Sequence, residues 1–317
     1  MTAERTTAAT SEAAAVPAAA PAATPVSVTL SARPPGVGAA IERWLLPLYT
    51  LGVVAFLALP VVIMIAFSFN DPTGRSNLVF RHFSFDAWLD PFGRPGLETA
   101  VINSIWVGFG ATFVSTVLGT LIALALVRYG FRGRGATNML IFLPMSTPEV
   151  VLGASLLTMF VSTTSMPFVP EGLLFPLNIR TILIAHIMFC ISYVVVTVKA
   201  RLQNFPRHLE EAAMDLGANE WTTFWKITFP LILPGVISAA LLAFSLSIDD
   251  YVITALTSGQ TNTFPLYIYG AQLRGIPVQV NVIGTIIFAS AVLLVVITTL
   301  WQRRQAIRDF QPVRQAE

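Results

Sequence analysis

Acidic side chains inside apolar sequence are where this chain could do chemistry. Glu149 in PMSTPEVVLG and Asp249 and Asp250 in SLSIDDYVIT stand in or beside long apolar runs, where an ionised group is costly and so marks a candidate functional position. Three carboxylates on or near a pathway, with Tyr251 adjoining the pair, would suit a cationic solute. The competing reading is that Asp249 and Asp250 mark a membrane interface. Glu149 would then bond backbone freed by Pro144 and Pro148, whose missing donors and ring clashes predict a local helix break. A second cluster lies in RHLEEAAMDLG, where Arg207, Glu210, Glu211 and Asp215 crowd into one short stretch of a chain with 11% charged residues.

Other reactive types do not converge. His82, His186 and His208 are far apart in sequence, and Cys190 with His186 on one face of an apolar run reads as packing. No H-E-x-x-H or G-x-S-x-G is present, so no catalytic or metal-ligating residue is assigned and an intramembrane enzyme is disfavoured. The absence of G-x-x-x-x-G-K-[ST] means that the chain does not cradle nucleotide phosphates by that route. A single cysteine excludes an intrachain disulfide framework.

The elements that must hold these residues are membrane spans. With 55% hydrophobic residues, 22 Phe and a mean hydropathy of +0.71 over 317 residues, the chain is too apolar for a water-soluble core, so its solvent is lipid. A net charge of +2, with Lys and Arg placed in connecting segments, speaks of membrane orientation and not of a nucleic-acid partner. A span needs about 20 apolar residues to cross about 30 Å of hydrocarbon. Six runs qualify: 44–69, 101–127, 139–161, 181–198, 231–248 and 282–301. The expected fold is all-α, a polytopic bundle of six transmembrane helices. Glu149 then falls roughly at mid-depth of the third span, and Asp249 and Asp250 at the outer end of the fifth, about 26 Å of helix from its start.

Residues 1–40 hold 14 Ala and 5 Pro and bury too little to offset ordering entropy, so a disordered cytoplasmic tail is expected. A cleaved signal fits less well, because Glu4, Glu12 and three prolines interrupt any apolar core. Residues 41–303 form the membrane domain and 304–317 a second cytoplasmic tail. With both termini inside, 14 of the 19 Lys and Arg fall on the cytoplasmic side, as retention of positive charge requires. Small residues recur every fourth position at Ala111, Ser115, Gly119 and Ala123, and at Gly235, Ala239, Ala243 and Ser247. Such ridges admit a close neighbour, either within this bundle or on a second membrane subunit. No internal repeat is evident, which disfavours inverted-repeat carriers.

The acidic cluster therefore lies in a cytoplasmic loop, 206–230. Pro206 suits a first turn and Gly217 the position past a helix end, predicting a helix over 206–216. Asn219 suits the cap of a second short helix presenting Trp221, Phe224, Trp225 and Thr228, closed by Pro230 and Pro234 before the fifth span. Taken alone, the two amphipathic helices could lie in the headgroup region.

The residues EAAMDLGANEWTTFWKITFP change that balance. They resemble the signature of integral membrane permeases of ATP-binding-cassette (ABC) importers, E-A-A, three residues, G, nine residues, I, one residue, then usually Leu-Pro. Glu211, Ala212, Ala213, Gly217, Ile227 and Pro230 fall on it, and Phe229 replaces the usual Leu. The segments PEVVLGASLL and SLSIDDYVIT followed by FPLYIYGAQLRGIPVQVN further resemble the second permease subunit of spermidine and putrescine importers. The resemblance implies the type I ABC importer permease fold in a cell (inner) membrane. It makes the loop, Asp215 included, a coupling element for a cytoplasmic ATPase dimer, which would hold ATP and Mg while this chain binds no cofactor. It also implies a second permease subunit, an external substrate-binding protein received by loops 70–100 (with Trp88) and 252–281 (with Tyr267, Tyr269 and Arg274), surrounding lipid, and a polyamine substrate, the alternative being another substrate within the same importer class. A gradient-driven carrier or channel would also use six spans and buried acids, but would not need the docking loop.

Overall fold

A computed structural model describes residues 37–74, 76–165, 175–203 and 206–309. The expected N-terminal tail up to residue 36 and the chain beyond 309 lie outside them. The chain divides into two compact units, Met1–Leu57 and Ala58–Glu317. Among the described residues the first consists of the beginning of helix α1 (Val37–Phe67).

In the second unit, a two-residue antiparallel pair, β1 (Asn70–Asp71) with β2 (His82–Phe83), precedes the short helix α2 (Asp86–Leu89). Then follow α3 (Leu97–Arg128), α4 (Arg134–Ser146), α5 (Glu149–Ser165) and α6 (Ile179–Gln203). The remaining helices are α7 (His208–Asp215), α8 (Glu220–Thr223), α9 (Phe229–Ile248), α10 (Val252–Thr257), α11 (Phe264–Gln272) and α12 (Val278–Asp309). Among the described residues five helices are long and apolar enough to cross a membrane, and the bent pair α4–α5, counted as one broken span, brings the number to six. Each predicted span thus has a helical counterpart.

The third span shows the break that its prolines predict, and the fifth departs from the sequence expectation. The third is not one helix over 139–161. Its axis turns by 107° between α4 and α5, because Thr147 adopts an extended conformation (φ −84°, ψ 133°) as a residue before proline prefers. Pro144 is accommodated inside α4, so the break comes from Pro148. The helix that carries the fifth span does not begin near 231, since it runs without interruption from Glu220 to Ile248. Pro234 is accommodated inside α9, and Pro230 does not end the preceding helix, because a π-helical turn, Phe224–Thr228, lies immediately ahead of it. There the Phe229 N–H donates to the Phe224 carbonyl. The extra residue in that turn redirects carbonyls that a proline ring would otherwise strike.

The core is built on α6. Of its most apolar window 56% is buried, against 33% for α3, and α6 packs on both α3 and α9. Both small-residue ridges serve this packing. Ala111, Ser115 and Ala123 on α3 and Ala239 and Ala243 on α9 are fully buried. A Cβ at Gly119 would fall 2.6 Å from Val194 Cγ1 and one at Gly235 2.8 Å from Arg201 Cγ. Of the two readings the sequence left open, packing within the bundle accounts for these ridges.

Gly119→Val should overpack this contact, lowering stability by about 1–3 kcal/mol. Gly135→Ala should not, since nothing lies within 4 Å of its added carbon. Denaturant titration of the detergent-solubilised protein checks both, and equal stability of G119V and the parent would refute the close approach.

Candidate functional site

The charged loop folds as a helix, a tight turn and a second helix. Backbone bonds from Leu209 N to Pro206 O and Glu210 N to Arg207 O form a first turn ahead of α7. At the other end Gly217 N donates to Met214 O and Ala218 N to Ala213 O, while Gly217 takes φ 85°. That pair of reversed bonds is the Schellman termination, which places its left-handed residue at glycine and brings the flanking Ala213 and Ala218 together. One motif position, Gly217, is therefore explained by helix termination alone. Asn219 then caps α8, its side chain accepting from Thr222 N at 2.8 Å.

This loop offers an apolar, mostly exposed surface. None of the residues of α7 is buried, Leu209, Met214 and Leu216 are exposed, and Trp221 is 72% exposed. Trp221 packs edge-on against Trp225, which continues to Phe224 and Phe229. Ile227 is half-buried in the π turn, and Pro230 is exposed at the base of α9. Of the acids, Glu211 and Asp215 are exposed. Glu210 is turned inward, where Arg128 Nη2 and Thr228 Oγ1 donate to its Oε1 at 2.7 and 2.6 Å. The cluster is thus split: one member is used within the chain, two are available to a partner.

The three candidate carboxylates near the spans are likewise not equivalent. Asp250 occupies the break between α9 and α10 with 5% side-chain exposure. Its Oδ2 accepts from Thr254 N and Thr254 Oγ1, both at 2.8 Å, and lies 3.3 Å from His186 Nε2. His186 also bonds Ser247 Oγ at 2.7 Å and Thr254 Oγ1 at 2.9 Å, so its two ring nitrogens join α6 to α9 and α10. Burial pushes the Asp250 carboxyl up, but the His186 and Thr254 contacts outweigh it and hold the group below the usual carboxylate range. Asp249, one residue earlier, is exposed, as is Glu149 at the first turn of α5. Neither forms an ion pair among the described residues. Tyr251 stacks at a tilt on Tyr269 with ring centroids 4.6 Å apart. The structure therefore brings Asp249 and Tyr251 to one helix break and engages Asp250 internally. His186 was not singled out by sequence as its partner. A buried acid and a buried histidine in one apolar chain was the available signal.

Comparison with known proteins matches residues 115–308 to the family model described as the binding-protein-dependent transport system inner membrane component. The spermidine/putrescine transport system permease protein PotC of Haemophilus influenzae is 36% identical, covering 80% of this chain and 94% of its own. The putrescine transport system permease protein PotI of Escherichia coli K12 is 34% identical, covering 86% and 96%. Among solved structures, a chain of a bacterial ABC transporter involved in the import of the acidic polysaccharide alginate aligns with a TM-score of 0.57 and 21% identity over 85% of this chain and 99% of that one. A bacterial alginate ABC transporter in complex with its pentasaccharide-bound periplasmic protein aligns at 0.62 and 18% over 87% and 98%. At these identities the structural likeness speaks for the fold.

Asp250→Ala should leave His186 and the start of α10 without their acceptor and lower stability by about 1–3 kcal/mol. Asp249→Asn should stay within about 0.5 kcal/mol of the parent, as an exposed substitution does. Thermal unfolding in detergent measures both, and the reverse ranking would contradict the inward placement of Asp250.

Proposed function

This chain belongs to the family of binding-protein-dependent transport system inner membrane components, and on that premise we propose that it is the permease subunit that lines the path of an ATP-driven polyamine importer. The observation that carries the reading is the loop 206–230. The E-A-A…G…I…P residues form an exposed helix and turn joined without interruption to a membrane-crossing helix. A push on α7 and α8 is thereby delivered to α9 along one continuous backbone. Glu211 and Asp215 supply charge, Ala212 permits close approach, and Leu209, Leu216 and Trp221 supply apolar contact to a cytoplasmic ATPase dimer.

In this arrangement ATP and Mg are held by the ATPase, and this chain contributes no group to hydrolysis. The termini and the loop face the cytoplasm, consistent with the bias of Lys and Arg. The opposite loops, with Trp88, Tyr267, Tyr269 and Arg274, receive an external binding protein, and a second permease completes the pathway. Polyamine as substrate rests on the names of the relatives and on the exposed acids. Glu149 and Asp249 offer carboxylates, and the Tyr251–Tyr269 pair beside Asp249 offers ring faces, to an alkylammonium ion. Asp250 acts on this path through the backbone it fixes.

Two outcomes test the proposal. Gly217→Leu meets no steric neighbour but must hold φ 85°, a conformation that costs a branched L residue about 1–2 kcal/mol. It should insert normally in the membrane yet abolish ATP-dependent putrescine uptake by vesicles. Uptake persisting in vesicles without the ATPase would instead establish a self-sufficient carrier. Glu149→Gln with Asp249→Asn should reduce putrescine uptake by about tenfold or more, taking one lost charge contact as about 1.5–3 kcal/mol. Unaltered transport would remove the acids from the path.

A further inference from the structure

Glu210 belongs to the charged loop but not to the surface that the proposed ATPase would touch. Its side chain is 18% exposed and that of Arg128 is 14%. One oxygen, Oε1, receives Arg128 from the end of α3 and Thr228 from the π turn that leads into α9. Beside it, Arg207 Nη2 donates to Val127 O at 3.2 Å, a cation on the exposed carbonyls of a helix C-terminus. Two side chains on or next to α7 thus reach the same end of α3.

What lies between these elements is space. A cavity of about 500 Å³ is lined by Leu121, Leu124 and Ala125 of α3, Arg128, Glu210 and Phe224, among others. Since α7 buries none of its residues, apolar packing does not fix its position on the bundle. The chain joins α7 to α8 and α9 by covalent continuity, whereas α3 is reached across space, through Glu210 and Arg207. An ionic contact at low exposure, sharing its acceptor with a hydroxyl, resists both separation and sliding better than a flexible surface pair does.

We propose that Glu210 is a positioning residue that joins α7 to α3 and to the base of α9, so that displacement of the loop moves both spans together. This rests on the coupling role of the loop proposed above. Without the link, the loop would still bind its ATPase and drive α9 through the backbone, while α3 would lag. Turnover of ATP would then be separated from movement of solute.

The test uses the whole transporter, this permease with its partner permease, ATPase and binding protein, in proteoliposomes, reading putrescine uptake per ATP hydrolysed. Glu210→Gln should retain the ATPase on purification and lower that ratio by about tenfold, the scale of coupling carried by one contact network. Thr228→Val, which removes one donor and leaves the ion pair, should lower it less. The charge exchange R128E with E210R should recover most of the loss from either single change, as it does only if the two side chains act on each other. Normal coupling in both E210Q and T228V, or an exchange no better than its single components, overturns the link. If E210Q does not assemble, T228V decides: an unchanged ratio overturns the proposal and a reduced one supports it. A parent transporter without ATP-dependent uptake would instead overturn the permease reading itself, a result separate from any difference among these variants.

Discussion

Close approach between helices is the constraint on which the rest depends. In lipid, apolar side chains gain nothing by leaving the solvent for one another, so helices associate through tight van der Waals contact and polar bonds. The chain meets this requirement by surrounding α6 with small residues, Ala111, Ser115, Gly119 and Ala123 from α3 and Ala239 and Ala243 from α9. Once α6 is held, it positions its neighbours by side-chain bonds. Lys199 Nζ donates to Asn138 Oδ1 of α4 at 2.7 Å, and Thr181 Oγ1 to Thr257 O of α10 at 2.8 Å. His186 adds the contacts to Ser247 and Asp250.

Irregular backbone in such a bundle is tolerated where its polar groups find partners. At the end of α4, Ser146 and Thr147 hydroxyls donate to the carbonyls of Phe142 and Leu143, next to the bond that Pro148 cannot make. At the break after α9, the Asp250 carboxylate accepts the backbone N–H groups that open α10. At the base of α9, the Phe229 N–H reaches the Phe224 carbonyl in the π turn, just ahead of Pro230, which has no N–H to give. Each irregular turn also carries a candidate residue: Glu149 after the first, Asp249 and Tyr251 at the second, Ile227 in the third.

The spans were legible because hydropathy over about 20 residues is a sum that single side chains hardly alter. The bend of the third span was legible from its prolines as well, since a proline acts on the residue beside it. The same reasoning failed at Pro230, where one additional residue per turn, a choice made by packing, carried the helix through. Gly217 and Asn219 were readable because termination and capping are local. In contrast, Glu210 and Glu211 are adjacent and chemically identical, and their opposite uses depend on Arg128 and Thr228, 82 and 18 positions from Glu210. His186 and Asp250 pose the same difficulty, since their pairing exists only after α6, α9 and α10 have packed.

That sorting of carboxylates bears on how a chain with few charges can both stay folded and act. A buried acid must be compensated, since leaving it unpaired in a low-dielectric interior costs far more than the pairing returns. Asp250 and Glu210 are compensated within the chain, and each ties together three elements. Glu149, Asp249, Glu211 and Asp215 are exposed instead, where keeping an ionised group costs little and a partner or solute can still be engaged. The pairs Asp249–Asp250 and Glu210–Glu211 therefore follow one plan, in which an inward acid holds the backbone that presents its outward neighbour. A substitution at the inward member should thus affect the outward one through geometry and not through charge, which is why stability and coupling, measured separately, distinguish the two kinds of residue.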